Sequence, residues 1–245
     1  MDKEQAILIT VPLVIFLTSE LILIENLFDT ILFYMFSIVI FIVLTVRSKK
    51  DLFKKYWGAL VIPVILRIIN LSMPFPILNA KLQLTLTYAI LIYCTFLFSK
   101  FFGVTSGFFK MPDKKFSPWI IAVLVGLALG ITEHFILGTT PMIQLYLPTD
   151  RIFLFFVIFT IGFGEEFVYR GVLQTTHAKF LGQHDSLLLN SILFGLMHLI
   201  WRSPIEFVFT TTAGFVFGLQ YNNTGSLWPP TLSHIINNTI WLLAF

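Results

Sequence analysis

Charged side chains are scarce in this sequence. Asp, Glu, Lys and Arg together make up 12% of its 245 residues, where a soluble domain carries about 25%. That shortage excludes an ordinary globular domain with a solvated surface. Cysteine is nearly absent too. The single Cys94 excludes an intrachain disulfide, and no Cys/His cluster stands ready for a structural zinc. Cys94 lies inside an apolar run and reads as a small buried residue. What the chain has is apolar bulk: 57% hydrophobic residues, 28 phenylalanines and a mean hydropathy of +0.87. These residues come in long blocks, the composition of a polytopic membrane protein. A net charge of +3 and a pI near 9.0 would suit a nucleic-acid binder. The basic residues, however, sit in short connectors between apolar runs, so nucleic acid is excluded as a partner and the lipid bilayer takes its place.

A helix needs about 20 apolar residues to cross the hydrocarbon core. Runs that reach or approach that length cover 5–24, 27–46, 57–73, 82–98, 118–137, 152–174, 186–201, 205–221 and 227–245, the third, seventh and eighth being short or interrupted by polar residues. The first is interrupted by Glu20 and not closed by a small-x-small cleavage pattern, so it reads as a retained helix. The expected fold is an all-α membrane protein, a polytopic bundle of about eight or nine transmembrane helices. The connector 100–118, with glycine, proline and four lysines, divides the chain. Residues 1–117 supply N-terminal transmembrane helices with few polar groups. Residues 118–245 form the candidate catalytic core, where nearly every helix carries a histidine, glutamate or asparagine. Lys3, the Arg47–Lys55 cluster and Lys100, Lys110, Lys114 and Lys115 fall in alternate connectors, against only Lys81, Arg151 and Arg202 in the others. That bias predicts an integral, multi-pass protein with a cytosolic N-terminus.

An ionisable group inside a membrane helix costs at least roughly 2.5–3.5 kcal/mol, so a set of them needs a common reason. The C-terminal half holds Glu133, His134, Glu165, Glu166, Arg170, His198, His234, Asn237 and Asn238. In IGFGEEFVYRGVLQ (161–174), Glu166 and Arg170 are four apart and share a helical face. Glu165 points about 100° away, has no local cation, and suits proton transfer with water. The alternative for this trio is an interfacial cap at a helix end. FGLMH (194–198) sets His198 on the face of Phe194, and HIINN (234–238) sets His234 on the face of Asn238. With a rise of about 1.5 Å per residue, Glu165, His198 and His234 fall at similar depth, somewhat on the cytosolic side of the midplane. They fit the wall of one wet cavity.

The chain has no serine or cysteine nucleophile beside a histidine motif, and no His-Glu-x-x-His zinc motif. A glutamate can deprotonate water directly, with a histidine sharing that water. A histidine and an asparagine can donate to the developing oxyanion, worth roughly 2.7–4 kcal/mol per donor. A zinc held by Glu165, His198 and His234 is the less favoured version, since the set lacks an evident metal-site spacing. A proton-coupled transporter would instead string polar groups along a path to both sides.

EEFVYRG (165–171), FGLMH and HIINN together resemble the Glu-Glu-x-x-x-Arg, Phe-x-x-x-His and His-x-x-x-Asn motifs of the CPBP family, the CAAX-protease and bacteriocin-processing intramembrane proteases. The resemblance covers about 153–245, and the earlier spans show nothing diagnostic. It implies a glutamate-dependent, metal-independent intramembrane endopeptidase without a cofactor. Carried over by position, Glu165 activates water with His198, and His234 and Asn238 form the oxyanion site. Glu166 and Arg170 support the base and its helix. The implied substrate is a membrane-associated peptide or a lipid-anchored tail, prenylated CAAX ends included. Family members also process bacteriocins or confer self-immunity, so a non-enzymatic scaffold or immunity protein is the alternative. Lacking long eukaryote-like insertions, the chain resembles a prokaryotic member in the cell membrane.

Other polar residues have plainer expectations. Glu20, Glu25, Asp29 and Asp150 lie near helix ends and read as interfacial, while Arg67 and Asn70 snorkel or pair internally. Glu133 and His134 either line the cavity or mark a helix end. His177 and His184 fall in a cytosolic loop and read as solvated. Gly126 and Gly130 have the small-residue spacing of closely packed helices.

Overall fold

The computed structural model describes residues 3–72, 80–104, 109–112, 116–137, 151–199 and 203–243, which are helical nearly throughout. The order is α1 (Lys3–Glu25), α2 (Leu27–Arg47), α3 (Asp51–Ser72), α4 (Ala80–Phe101), α5 (Ser117–Leu137) and α6 (Arg151–Glu166). A π-helical segment (Phe167–Gln174) follows, then α7 (Thr175–Leu196), α8 (Pro204–Thr224) and α9 (Trp228–Leu243). Among them α1, α2 and residues 117–136 of α5 are long and apolar enough to cross a membrane. Their outward faces carry large apolar side chains such as Leu21, Phe36, Val39 and Leu124, while Glu20 and Tyr34 are buried. Water would penalise so much exposed apolar surface, and lipid does not. The fold is that of an all-α membrane protein. Asp150 and Arg202 lie outside the described residues.

Two compact units interleave along the sequence. One comprises Met1–Met73, Phe98–Val104 and Val168–Phe215, the other Pro74–Leu97, Thr105–Phe167 and Val216–Phe245.

In the first unit a single residue separates α1 from α2. Asn26 is extended, and its side chain accepts from the backbone N–H groups of Phe28 (2.8 Å) and Asp29 (3.3 Å), an N-cap that satisfies donors at the new helix start. Glu25 and Asp29 are exposed at this corner, as interfacial residues would be. Glu20 departs from that expectation. It is 1% exposed, and its carboxylate takes Arg67 Nε at 2.8 Å and the Tyr34 hydroxyl at 2.6 Å. Arg67 Nη2 bonds its second oxygen, so Arg67 pairs internally. The mismatch has a physical reason: a carboxylate within a turn of a helix end is buried if a neighbouring helix supplies a cation, and Arg67 arrives from α3.

His177 also departs from expectation. It is fully buried, its ring 4.4 Å from that of Tyr56, because α7 already begins at Thr175 and its first turns pack on α3. Gly182 then breaks α7 with φ +79°, a conformation that disfavours side chains. His184, just beyond the break, is exposed as expected.

In the second unit α9 packs against α5 and α6. A Cβ on Gly126 would stand 2.7 Å from the Ser233 carbonyl, and one on Gly130 2.6 Å from Ile240 Cβ. The two glycines therefore let the α5 and α9 backbones meet within this unit, in keeping with their spacing. Gly162 on α6 faces Ile235 and His234 of α9, and Gly164 faces Tyr88 of α4. Cys94 is exposed rather than buried. An apolar helix has no polar face to betray its orientation, and Cys94 is on the outer side of α4.

Candidate active site

Residues 164–174 are buried without interruption, which rules against an exposed helix-end cap for the glutamates and Arg170. The helix is also not regular. Its α-helical part ends at Glu166, and the π-helical segment carries the rest of the motif. Thr175 Oγ1 bonds the carbonyl of Arg170, five residues back, at 3.0 Å. π-Helical segments are uncommon and recur at functional sites.

Within the second unit, Glu165 and Glu166 meet His234. His234 Nδ1 donates to Glu166 Oε1 at 2.9 Å, and Nε2 lies 3.8 Å from Glu165 Oε2. A carboxylate on one ring nitrogen sets which nitrogen faces the reactive side, here Nε2 towards Glu165. The His234 ring stacks on Phe217, centroids 5.1 Å apart at 20°. Glu165 Oε1 accepts from the Tyr88 hydroxyl at 2.8 Å. Glu165 Oε2, though buried, has no hydrogen-bond partner among the described residues. Buried carboxylate oxygens are normally satisfied, and an orphan calls for a reason. The 3.8 Å gap suits a water bonding both groups better than a direct bond.

One turn along α9, Asn237 Nδ2 donates to Glu133 Oε2 at 2.6 Å and lies 3.4 Å from Asn238 Oδ1. Asn238 is half-buried. Glu133 is thus a buried residue of α5 facing α9. Tyr88 and the Glu133–Asn237 bond have no motif to announce them. The available signal is weak: a tyrosine or glutamate inside an apolar run needs a partner for its polar end.

Arg170 and His198 belong to the first unit. The buried Arg170 donates from Nη2 to the Gly214 carbonyl at 2.9 Å, and its guanidinium stands 4.8 Å from the centre of the Phe194 ring. His198 Nδ1 bonds the Phe194 carbonyl at 2.9 Å, and their rings lie 4.7 Å apart. Phe194 and His198 therefore share a face, as their spacing requires, and in the neutral ring Nε2 keeps its lone pair.

Residues 148–240 match the family described as Type II CAAX prenyl endopeptidase Rce1-like. That range holds Glu165, Glu166, Arg170, His198, His234 and Asn238, so the resemblance carried by the motifs is borne out over this part of the chain. An uncharacterized protein of Bacillus subtilis (strain 168), YpbD, is 33% identical over 87 residues, 35% of this chain and 42% of that relative. The chain thus spans less than half the length of that relative. No solved structure matches it.

Proposed function

We propose that this chain, whose residues 148–240 fall in a family of CAAX-type prenyl endopeptidases, is an intramembrane endopeptidase that hydrolyses a peptide bond with water activated by Glu165. The observation that carries this reading is the orphaned Glu165 Oε2, buried 3.8 Å from His234 Nε2. Glu165 takes a proton from the water as its oxygen adds to the carbonyl carbon. It returns that proton to the leaving nitrogen as the C–N bond breaks, giving a carboxylate and an amine. Asn238 donates to the oxyanion, and so does His234, whose Nδ1 proton is held by Glu166 and whose donation therefore needs a second proton on Nε2. His198 is assigned by its motif to share the activation of water, and Arg170 to support the helix. This chemistry asks for no metal or cofactor.

The substrate is a membrane-associated peptide or a lipid-anchored tail. An apolar cavity of about 430 Å³ in the second unit, lined among others by Ile92, Phe96, Phe109, Phe163 and Trp228, favours a lipid-bearing end. The N-terminus is assigned to the cytosol and the site to the cytosolic half of a prokaryotic cell membrane.

The test uses the purified protein in liposomes with quenched fluorescent peptides ending in prenylated Cys-aliphatic-aliphatic-X, and the same peptides without the lipid. Wild type should cleave, and Glu165→Ala, His198→Ala and His234→Ala should not. Equal cleavage by all four proteins would overturn the assignment. Loss of activity to a chelator, restored by zinc, would replace the metal-free chemistry with a metal-assisted one.

A further inference from the structure

Tyr88 stands outside the residues that match the family and in none of the three motifs. It is buried on α4, and its hydroxyl donates to Glu165 Oε1 at 2.8 Å across 77 residues of sequence. A tyrosine hydroxyl has a single proton to donate, and here it goes to the oxygen of Glu165 that faces away from His234. The two oxygens of the carboxylate thereby become unequal. Oε1 is held by the phenol, and Oε2 is left beside His234 Nε2 at 3.8 Å.

The approach of the two helices is prepared in the sequence. Gly164 precedes Glu165, and a Cβ there would come within 3.2 Å of Tyr88 Cδ1. The absent side chain lets the tyrosine ring lie against the α6 backbone, so that its hydroxyl reaches the next residue's carboxylate. A glutamate side chain has three rotatable bonds, and a second-sphere donor that removes their freedom keeps the reactive atom where the chemistry needs it.

We infer that Tyr88 is a positioning residue for the hydrolysis, fixing the Glu165 carboxylate so that Oε2 is the oxygen that meets water. The inference rests on the peptidase reading above.

The test compares wild type, Glu165→Ala and Tyr88→Phe with the prenylated quenched fluorescent peptide in liposomes, reading kcat and KM separately. A further variant carries 4-aminophenylalanine at position 88, which keeps a donor at the same point of the ring. Tyr88→Phe should lower kcat by about ten- to a hundred-fold, the scale of one hydrogen bond to a charged group, with KM little changed. The 4-aminophenylalanine variant should recover most of that loss. A merely structural role would leave both variants alike or move KM and folding instead, and either result overturns the inference. Full activity of Tyr88→Phe beside a dead Glu165→Ala overturns it while leaving the peptidase reading intact. Equal cleavage by wild type and Glu165→Ala overturns both.

Discussion

Among the described residues, the buried Glu20 of the first unit and the buried Glu165 of the second are built to opposite rules. In the first, Glu20 has every oxygen occupied: Arg67 grips both, and Tyr34 adds a third donor. In the second, Glu165 has one oxygen held by Tyr88 and the other left without a partner among the described residues beside His234. Both carboxylates meet a buried tyrosine, so tyrosine alone does not separate them. What differs is the nitrogen partner. A guanidinium matches a carboxylate in two parallel bonds and leaves nothing over. An imidazole shared with Glu166 meets Glu165 through one nitrogen only. A closed cluster ties helices together. An open one leaves an oxygen without a partner among the described residues, the atom the proposed hydrolysis would use.

Glu165→Gln should cause the largest change. It keeps the side chain's size and removes its ability to take a proton, so cleavage should fall roughly 10²- to 10⁴-fold. Thermal unfolding followed by circular dichroism in detergent should show no loss of stability, because function and stability trade off at such sites. A variant that both unfolds and inactivates would place Glu165 with the closed clusters. Arg67→Met tests the other side. It strands the Glu20 carboxylate and should destabilise by about 3–5 kcal/mol, while the folded fraction keeps its kcat. The double variant Glu20→Leu, Arg67→Met removes both charges and should regain most of that stability. If it regains none, the pair is more than a matched set of charges. Gly130→Ala is smaller, roughly 1–3 kcal/mol of overpacking, since the new Cβ would meet Ile240 at 2.6 Å. Its effect should appear in the melting temperature and, through the α5–α9 contact, in kcat. The smallest change is that of Trp228→Ala, which opens the apolar cavity. KM should rise a few-fold for the prenylated peptide and stay unchanged for the lipid-free one. Equal shifts for both peptides would remove the cavity from lipid recognition.

Much of the second cluster is legible in the amino-acid sequence. Glu165, Glu166, His234 and Asn238 stand out because charged and amide groups are expensive in apolar helices, and His234 and Asn238 keep their four-residue spacing on the regular α9. The π-helical turn is not legible, since FVYRGVLQ reads as ordinary helix. Nor are the contacts that cross long stretches of chain. Tyr88 meets Glu165 over 77 residues and Asn237 meets Glu133 over 104, and no local period encodes such distances. Glu20 and His177 depart from expectation for the same reason: nearness to a helix end or an apparent loop says little about which helix, α3 in both cases, will cover the side chain. Cys94 differs in kind. On a helix apolar all round, the side that faces lipid and the side that faces protein are written in the same residues.

The position of Tyr88 and Glu133 outside the matched segment bears on how the site travels between proteins. Residues 148–240 carry every motif side chain, yet the partners that hold Glu165 and Asn237 come from α4 and α5. Grafted onto foreign N-terminal helices, the segment would arrive with its reactive groups and without their anchors. The motifs are the portable part of this site, and its alignment is native to the chain around them.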